Sequence, residues 1–426
     1  MRLKLCVILL VPAVCVYAQL PGEGTPESPW VIDNASDFDA YRRNASFWTG
    51  TAVLAGDIDL SAYSPYSRAP ISPDTDTLLG NFQGTPFSGT LDGQGFSITG
   101  LSINPYTASG KDHEFLGLVG KIASSGVVKN ISVELEINPA QNCGSFCAGA
   151  IAGKNLGLIR NCICHAEITL LAGTNVCIGG ITGYNEGDLE RSMSSGFIKC
   201  GGGSNRVGGA AGFNSAGDML LCSSKVNCVL GDSSQYIGGL IGDNMGAEIN
   251  QCWAGGDITR LSTASDYPDY AGGLLGRNYS NSSIKNCFAT GEVDGDEYAG
   301  GLAGRHENSG IRKCYSTGKV TGSLHVGGLV GKSDTEDPDV YDSFWDTETS
   351  GRPTSSGGTG KTTAQLQQES TFAGWDFIAV WRISQTPFNE PDYPKLRFYN
   401  PADLDMSCEI ELSDFVIFAQ NWLSED

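Results

Sequence analysis

Gly272-Gly-Leu-Leu-Gly276 and Gly300-Gly-Leu-Ala-Gly304 are two copies of one short glycine-rich phrase, which occurs eight times between Phe115 and Gly331. The glycines that close the copies follow one another at steps of 27 to 34 residues: Gly120, Gly153, Gly183, Gly212, Gly242, Gly276, Gly304 and Gly331. A near-constant step of this length is typical of a solenoid, in which each repeat is one unit that stacks on the next.

The residues around the phrase predict strands rather than helices. Short, mostly β-branched runs recur at fixed places, as in the columns Val128, Ile159, Leu189, Met219, Ile249, Ile284, Ile311 and Ile137, Ile168, Ile198, Cys228, Ile258, Val293, Val320. A helical solenoid needs runs of about ten or more residues with an apolar period of about 3.6, and the copies contain none. The sequence therefore predicts an all-β fold, a right-handed parallel β-helix.

The Gly-Gly pair inside the phrase predicts a corner. Apolar residues on either side of it lie three positions apart, for example Ala271 and Leu274. A straight strand would place these two side chains on opposite faces. Because glycine is free to bend the chain, we expect a corner here that turns both side chains inward.

The repeated phrase, together with segments such as Asn286-Cys-Phe-Ala-Thr-Gly291 and Lys313-Cys-Tyr-Ser-Thr-Gly318, resembles the GLUG motif. The motif is named for its Gly-Leu-any-Gly core, and the resemblance covers about half of the chain. It implies extracellular passenger material of bacterial surface proteins, which include some relatives of immunoglobulin A proteases.

The N-terminus reads as a targeting segment. Arg2 and Lys4 precede an apolar run from Leu5 to Val16, and Val16-Tyr17-Ala18 offers a cleavage site. Residues 1–18 are therefore predicted to be a secretory signal peptide, which implies a secreted or cell-surface protein. The rest of the sequence lacks an apolar stretch of the ~18 residues that a membrane span needs, so we do not expect a membrane-spanning protein.

A cap and the first coils are expected between this signal and the repeats. Residues 19–110 are assigned to them, and residues 111–331 to the GLUG-repeat β-helix. The aromatic spacing from Asn34 to Trp48 predicts an amphipathic helix with Asn34 or Ser36 as N-cap. The first coil of a solenoid needs a cover over its exposed end, and this helix is the expected N-terminal helical cap.

The charge balance disfavours nucleic acid as a partner. The chain has 27 basic and 48 acidic residues, a formal net charge of −21, and the sequence shows no basic cluster to oppose it. A strongly acidic surface repels a phosphate backbone. We therefore expect no nucleic-acid binding.

The cysteines mostly occupy apolar columns. Cys162, Cys222, Cys252, Cys287 and Cys314 share a column with Ile131 and Ser192, which predicts small buried side chains rather than disulfides. Cys147 and Cys177 are the better disulfide candidates, because they occupy equivalent positions in neighbouring copies. Stacked strands ~4.8 Å apart are nevertheless an awkward span for a disulfide, whose Cβ atoms lie ~3.8 Å apart.

The insertions between copies collect at one corner of the predicted coil, and a candidate binding site lies beside it. Stacking would align three tyrosines next to acidic residues: Tyr236, Tyr270, Tyr298, Asp266, Asp269, Asp294 and Asp296. Exposed rings pack on apolar sugar faces, and carboxylates accept hydrogen bonds from hydroxyls, so the row suits a glycan or another surface ligand. The alternative is aromatic stacking beside solvated turns.

The end of the chain carries the only recognisable metal-site pattern. Residues 332–400 are predicted to be a closing segment and residues 401–426 a small α-helical module. Its oxygen-bearing residues stand at the spacing of a calcium loop: Asp403, Asp405, Ser407, Glu409, Glu411 and Asp414. This stretch resembles one half of a dockerin, a calcium-loop module that attaches secreted bacterial proteins to cohesin partners. The resemblance implies calcium as cofactor and a cohesin-like partner, but Cys408 stands where the loop needs glycine, which predicts weak or absent calcium affinity.

These patterns favour a noncatalytic secreted or cell-surface β-helical protein for adhesion, carbohydrate binding or display, anchored through its C-terminal module. The alternative is a carbohydrate-active enzyme, a polysaccharide lyase or glycoside hydrolase built on a β-helix. That activity needs a carboxylate pair, or calcium with an Arg or Lys base, on one face. In this sequence, the acids of the variable corner are the residues that could supply such a carboxylate pair.

Overall fold

The protein is described from a computed structural model. It covers residues 20–76, 81–105, 114–138, 145–172, 176–203, 205–231, 235–261, 269–334, 339–383 and 392–397. Predictions for residues 1–18 and 401–426, including the signal peptide and all six calcium-loop residues, lie outside this part of the chain.

Two sheets of eight parallel strands carry the repeated phrase. The strands of sheet 2 begin one residue before the closing glycine: Val119–Ile122, Ala152–Asn155, Thr182–Asn185, Ala211–Ser215, Ile241–Met245, Leu275–Tyr279, Ala303–His306 and Val330–Ser333. The strands of sheet 3 come just before the phrase or run into it: Glu114–Leu116, Phe146–Ala148, Val176–Gly179, Asn205–Gly208, Tyr236–Gly238, Tyr270–Gly272, Tyr298–Gly300 and His325–Gly327.

Sheet 1 supplies the rest of each coil and has 23 strands among the described residues. They are Trp30–Ile32, Thr51–Leu54, Ile58–Asp59, Thr90–Asp92, Ser97–Ile103, Val127–Ile137, Leu158–Ala172, Asp188–Glu190, Met193–Gly202, Met219–Leu220, Ser223–Leu230, Glu248–Asn250, Trp253–Ala254, Ile258–Arg260, Ser283–Lys285, Phe288–Ala289, Val293–Asp294, Gly310–Arg312, Tyr315–Ser316, Val320–Thr321, Val340–Tyr341, Phe344–Asp346 and Thr359–Lys361. The chain is thus an all-β right-handed solenoid, and the predicted architecture is confirmed at that level.

The Gly-Gly pair forms the expected corner between sheets 3 and 2, and Ala271 and Leu274 both point into the core with no exposed surface. A Cβ on Gly272 would lie 2.0 Å from the carbonyl oxygen of Leu275, and one on Gly273 would lie 2.2 Å from that of Gly301 in the next coil. On Gly276 it would lie 2.4 Å from the carbonyl oxygen of Gly242 in the preceding coil. Glycine at these three positions therefore permits close backbone packing in this repeat, and the closing glycine is present in all eight copies.

A second corner divides sheet 1 inside each coil. Its residue has a left-handed backbone with φ between 48° and 59°, and it immediately precedes the cysteine column: Asn130, Asn161, Arg191, Leu221, Gln251, Asn286, Lys313 and Asp342. This turn aims the next side chain into the core, where Cys162, Cys222 and Cys252 are fully buried. Asparagine tolerates this conformation better than the other side chains found here.

A ladder of buried asparagines lines the interior behind the closing glycines. The side-chain amides of Asn155, Asn185, Asn214 and Asn244 each donate to the side-chain oxygen of the next coil's asparagine, ending on Asn278, at 2.8 to 2.9 Å. Asn278 lies 3.3 Å from Nδ1 of His306, which ends the series. The sequence pattern of apolar columns does not reveal this ladder, because its residues are polar yet fully buried.

All ten described cysteines are unpaired: Cys147, Cys162, Cys164, Cys177, Cys200, Cys222, Cys228, Cys252, Cys287 and Cys314. Cys147 and Cys177 are partners in register on neighbouring parallel strands, as expected, but no disulfide joins them. The sulfur atoms of Cys252, Cys287 and Cys314 instead accept the backbone N–H group of the preceding column cysteine, each at 3.4 Å.

The predicted N-terminal helix spans Ala35–Arg42, and the Asn34 side chain accepts the backbone N–H groups of Ser36 and Asp37. It is shorter than the sequence predicts, because Asn44 caps a separate 3₁₀ turn, Ala45–Thr49. Phe38 and Tyr41 are buried in the common core. The role of this helix as a cap over the first coil stays a prediction.

The C-terminal segment packs along the side of the solenoid. It contains a helix at Thr363–Leu366, a 3₁₀ turn at Glu369–Thr371 and an antiparallel pair, Trp381–Arg382 with Lys395–Leu396. Its aromatic residues cover a stack of rings on the outer face of sheet 1, formed by Trp253, Phe288 and Tyr315 with centroids 5.6 and 5.1 Å apart. The domain boundaries at residues 110, 331 and 400 stay predictions.

Candidate functional site

The predicted tyrosine row exists. The rings of Tyr236, Tyr270 and Tyr298 stack with centroids 5.2 and 4.9 Å apart, and His325 continues the stack at 5.0 Å. The four residues are partners in register on neighbouring strands of sheet 3. Parallel pairing of equivalent residues therefore places one ring over the next.

The ring faces of the row contact cations, while the Tyr298 hydroxyl also interacts with the Glu297 carboxylate. Residues that follow the closing glycines lie on the adjacent strands of sheet 2, and three of them are Arg277, Arg305 and Lys332. The Arg277 guanidinium lies 4.5 Å from the Tyr236 ring, Arg305 5.4 Å from Tyr270 and Lys332 5.4 Å from Tyr298.

We call this surface the basic–aromatic strip, defined by Tyr236, Tyr270, Tyr298, His325, Arg277, Arg305 and Lys332. Cation–π contacts hold its two columns together.

The rings of the strip are less exposed than the sequence predicts. Tyr270 and Tyr298 retain 7% and 9% of their accessible surface, and Tyr236 is half-buried. Stacking and the overlying guanidinium groups cover the ring faces. Burial raises the pKa of Tyr298 to about 12, so its hydroxyl stays neutral at physiological pH. A ligand would therefore meet hydroxyl groups, ring edges and cations rather than open ring faces.

The arginines are fixed by buried and half-buried carboxylates. Asp243, which has no exposed surface, lies between Arg206 and Arg277, with Nε–O distances of 3.0 and 2.8 Å. Arg305 donates to the Tyr270 hydroxyl at 3.0 Å and forms ion pairs with Asp334 and Glu307. These contacts hold the guanidinium groups in place before any ligand arrives.

The predicted acidic partners serve the turns instead. Asp269 is 1% exposed, pairs with Arg260 at 3.0 Å and accepts backbone N–H groups from Asp296 and Glu297. Arg260 also lies 3.3 Å from Asp296. Burial is the main cause that raises the pKa of Asp269. This network joins two neighbouring coils, so the expectation of carboxylates open to a sugar is wrong for Asp269.

Asp294 differs from Asp269, because it is exposed and accepts the Thr321 hydroxyl at 2.6 Å. Asp266 lies outside the described residues. The three described acids, Asp269, Asp294 and Asp296, contact Arg260, Thr321 and Ser323, which belong to the strand ends and turns.

The strip continues toward the N-terminal coils with the same residue types. The Lys154 ammonium lies 4.3 Å from the Tyr184 ring, and the Arg206 guanidinium 4.8 Å from the Phe213 ring. Lys121 is the partner of Lys154 on the preceding strand. The sequence shows no basic cluster, because cations that are neighbours in space lie at least one turn of the solenoid apart in the chain. Reading the residue after each closing glycine as a column would have found Lys121 and Lys154, then Arg277, Arg305 and Lys332, with Tyr184, Phe213 and Asp243 between the two groups.

No helix within the described part of the chain has the length and apolar character of a membrane span.

Comparison with known proteins identifies the repeat. The family model "The GLUG motif" matches residues 268–294 and 295–321. Halomucin of Haloquadratum walsbyi is 34% identical over 140 residues, which are 33% of this chain and 2% of halomucin. A protein of Evansella cellulosilytica named "Putative Gly-rich membrane protein" is 32% identical over 143 residues, 33% of this chain and 15% of that protein.

This chain thus spans a small part of either relative. Among solved structures, the crystal structure of "a putative immunoglobulin A1 protease from Bacteroides ovatus" matches with 15% identity and a TM-score of 0.41, over 89% of this chain and 95% of that one. Of these findings, the family model bears directly on the repeated phrase: residues 268–321 of the chain are GLUG motif repeats.

Proposed function

We propose that this protein is a noncatalytic, secreted or cell-surface β-helical rod for adhesion or display, and that it binds carbohydrate through the basic–aromatic strip. The observation that carries the proposal is the strip itself, three stacked tyrosines joined to a parallel column of cations. Tyrosine hydroxyls and guanidinium groups donate hydrogen bonds to sugar oxygens, and ring edges contact the apolar parts of a sugar.

The solenoid suits binding along an extended surface. Four successive coils each contribute one tyrosine or histidine and one neighbouring charged side chain on sheet 2, so equivalent groups recur at ~4.8 Å along this part of the rod. A single contact of this kind is weak, but several contacts on one chain-like ligand add up without further loss of freedom. Repeat proteins commonly use such extended surfaces for binding.

The names of the two relatives support the location. The names halomucin and Gly-rich membrane protein suggest proteins of the cell surface. Each of these relatives aligns with about a third of this chain, at 34% and 32% identity. Anchoring through a C-terminal calcium-loop module, with a cohesin-like partner, is a further part of this proposal and rests on the sequence of residues 401–426 alone.

The structure favours binding over catalysis at the variable corner. The acids that the sequence offers for a catalytic pair include Asp269 and Asp296, and Arg260 pairs with both. Carboxylates held in an ion pair with one arginine are poor candidates for general acid and base.

A glycan array with the full chain tests the proposal. Tyr236→Leu removes the half-buried ring at the end of the stack, and Tyr341→Leu removes an exposed tyrosine on sheet 1 as the matched control. We expect the wild type and the control to bind the same glycans and Tyr236→Leu to lose at least about half of the signal. Absence of any glycan signal, or equal signals for all three proteins, would contradict carbohydrate binding by the strip.

A further inference from the structure

Cations face one another in register along sheet 2. Arg277 is the strand partner of Arg305, and Arg305 of Lys332. Lys121 and Lys154 form the same kind of pair near the other end. Like charges directly opposite on neighbouring strands destabilise a sheet. In a chain with 48 acidic and 27 basic residues, this column is a cost to stability that a bound anion would remove.

The carboxylates beside these cations neutralise them only in part. Six cations lie along the two columns, namely Lys121, Lys154, Arg206, Arg277, Arg305 and Lys332. The ion pairs they form within the described residues use four carboxylates, namely Glu186, Asp243, Glu307 and Asp334. These six cations therefore outnumber the carboxylates in ion pairs with them by two. The Glu297 carboxylate also lies beside the strip, where it interacts with the Tyr298 hydroxyl.

The two ends of the column are the most open to a new partner. Among the described residues Lys332 contacts the Tyr298 ring but forms no ion pair, and the same holds for Lys121 and the Phe82 ring. Burial first, and then the neighbouring Lys154 ammonium, lower the pKa of Lys121. Each of these lysines would gain a favourable interaction from an anion placed beside it.

We propose that the basic–aromatic strip binds an anionic polysaccharide, a glycan with uronate or sulfate groups, laid along the rod axis. This inference rests on the proposed carbohydrate binding and names the class of ligand. Guanidinium forks match the planar geometry of carboxylate and the oxygens of sulfate. The column repeats at ~4.8 Å, which is comparable with the length of one sugar unit in an extended chain, so acidic groups on a polysaccharide meet cations of successive coils.

Calorimetric titration of the full chain with defined polymers tests this ligand class. The probes are polygalacturonate, its methyl-esterified form, heparin, a neutral cello-oligosaccharide and single-stranded poly(dT). We expect polygalacturonate or heparin to bind at least about ten-fold more tightly than the esterified and neutral glycans. We also expect that affinity to fall at least about five-fold between about 50 mM and about 300 mM NaCl, since salt screens the contact. The stronger of the two anions identifies carboxylate or sulfate as the preferred group.

A variant separates binding from folding. Lys332→Gln removes one member of the like-charge column and should weaken binding of the preferred anion about five-fold, while Tm stays unchanged or rises. Lys285→Gln, which removes a cation paired with Glu248 on sheet 1, is the matched control and should leave binding unchanged.

The outcomes are distinguishable. Equal affinity for neutral and anionic glycans, or an unchanged affinity in Lys332→Gln, would overturn this inference and leave the proposed carbohydrate binding standing. Poly(dT) binding as tightly as the best glycan would overturn the polysaccharide assignment in favour of nucleic acid. No binding of any glycan would overturn both proposals.

Discussion

His306 is a single buried residue whose protonation depends on the packing of the solenoid interior. It takes the place of an asparagine at the end of the buried amide ladder and is 1% exposed. Burial lowers its pKa from 6.5 to about 4, while Ser309 and Asp339 act in the opposite direction. A histidine in this position must remain neutral for the coil to stay packed.

The pH dependence of stability should reveal this histidine. Because its folded pKa lies below its unfolded pKa, its contribution is fully present above pH 6.5 and is lost as the pH falls toward about 4. The loss at about pH 4 amounts to about 3 kcal/mol. We expect His306→Asn, which extends the amide ladder, to lose that much less stability than the wild type between about pH 7 and about pH 4 in urea unfolding. The exposed His165→Asn should behave like the wild type, and an equal pH dependence in all three proteins would refute the assignment.

Cys177 differs from the other buried cysteines. A hydrogen bond from Cys147 lowers the pKa of the Cys177 thiol, with a further contribution from the Arg206 cation. Burial raises the pKa of Cys162 and Cys228 to about 12. Only the thiolate is a strong nucleophile.

Iodoacetamide should therefore discriminate among the described cysteines. At neutral pH and short reaction times we expect the Cys147–Cys177 pair to be alkylated first in the native protein, with Cys162 and Cys228 protected until urea is added. Peptide mapping by mass spectrometry reads the order. Labelling of Cys162 as early as the pair would contradict the difference in thiol acidity, and Cys177→Ser should remove most of the early label.

The decisive element of the fold is the corner at Gly-Gly, which joins sheets 3 and 2 in each repeat. Three glycines of the phrase contact three different pieces of backbone: the same coil, the following coil and the preceding coil. This explains in physical terms why the closing glycine recurs in all eight copies, whereas Ala150 replaces one glycine of the pair in the second copy. Gly276 contacts the preceding coil, so a side chain there would separate two coils rather than distort one loop.

Replacement of Gly276 by alanine should be severely destabilising. The new Cβ would lie 2.4 Å from the Gly242 carbonyl oxygen, so the coils must move apart, and we expect a loss of about 3 kcal/mol or more. Gly56→Ala is the control, because its Cβ would make an ordinary contact at 3.4 Å with the Asp33 carbonyl oxygen. Urea unfolding measures both. A Gly276→Ala protein as stable as Gly56→Ala would show that the coils do not approach as closely as described.

At the scale of the whole molecule, the spacing of the closing glycines is enough to predict a stack of β-coils, because period and residue type are local signals. The sequence alone does not predict which side chains of a column face the interior and which of them pair across coils. Asp269 looks like a surface acid in the sequence, yet Arg260 compensates it in the interior, and that pairing appears only when the coils are stacked. Arg277 and Arg305 lie 28 residues apart in sequence and are direct neighbours in space. A basic column of this kind is invisible to any search for runs of charge.

The central claim is that equivalent residues of successive repeats lie on one line, one coil apart. Pulsed electron–electron double resonance, which measures the distance between two spin labels, tests it directly. One column on sheet 1 contains Lys129, Asn250, Arg312 and Tyr341. Asn250 lies four coils beyond Lys129, Arg312 six coils and Tyr341 seven coils. Spin labels at Lys129 and each of the others, with Cys147 and Cys177 replaced by serine, should give separations near ~19, ~29 and ~34 Å, because each coil adds ~4.8 Å. Separations that do not increase with the number of coils would contradict the stacked solenoid and the strip built on it.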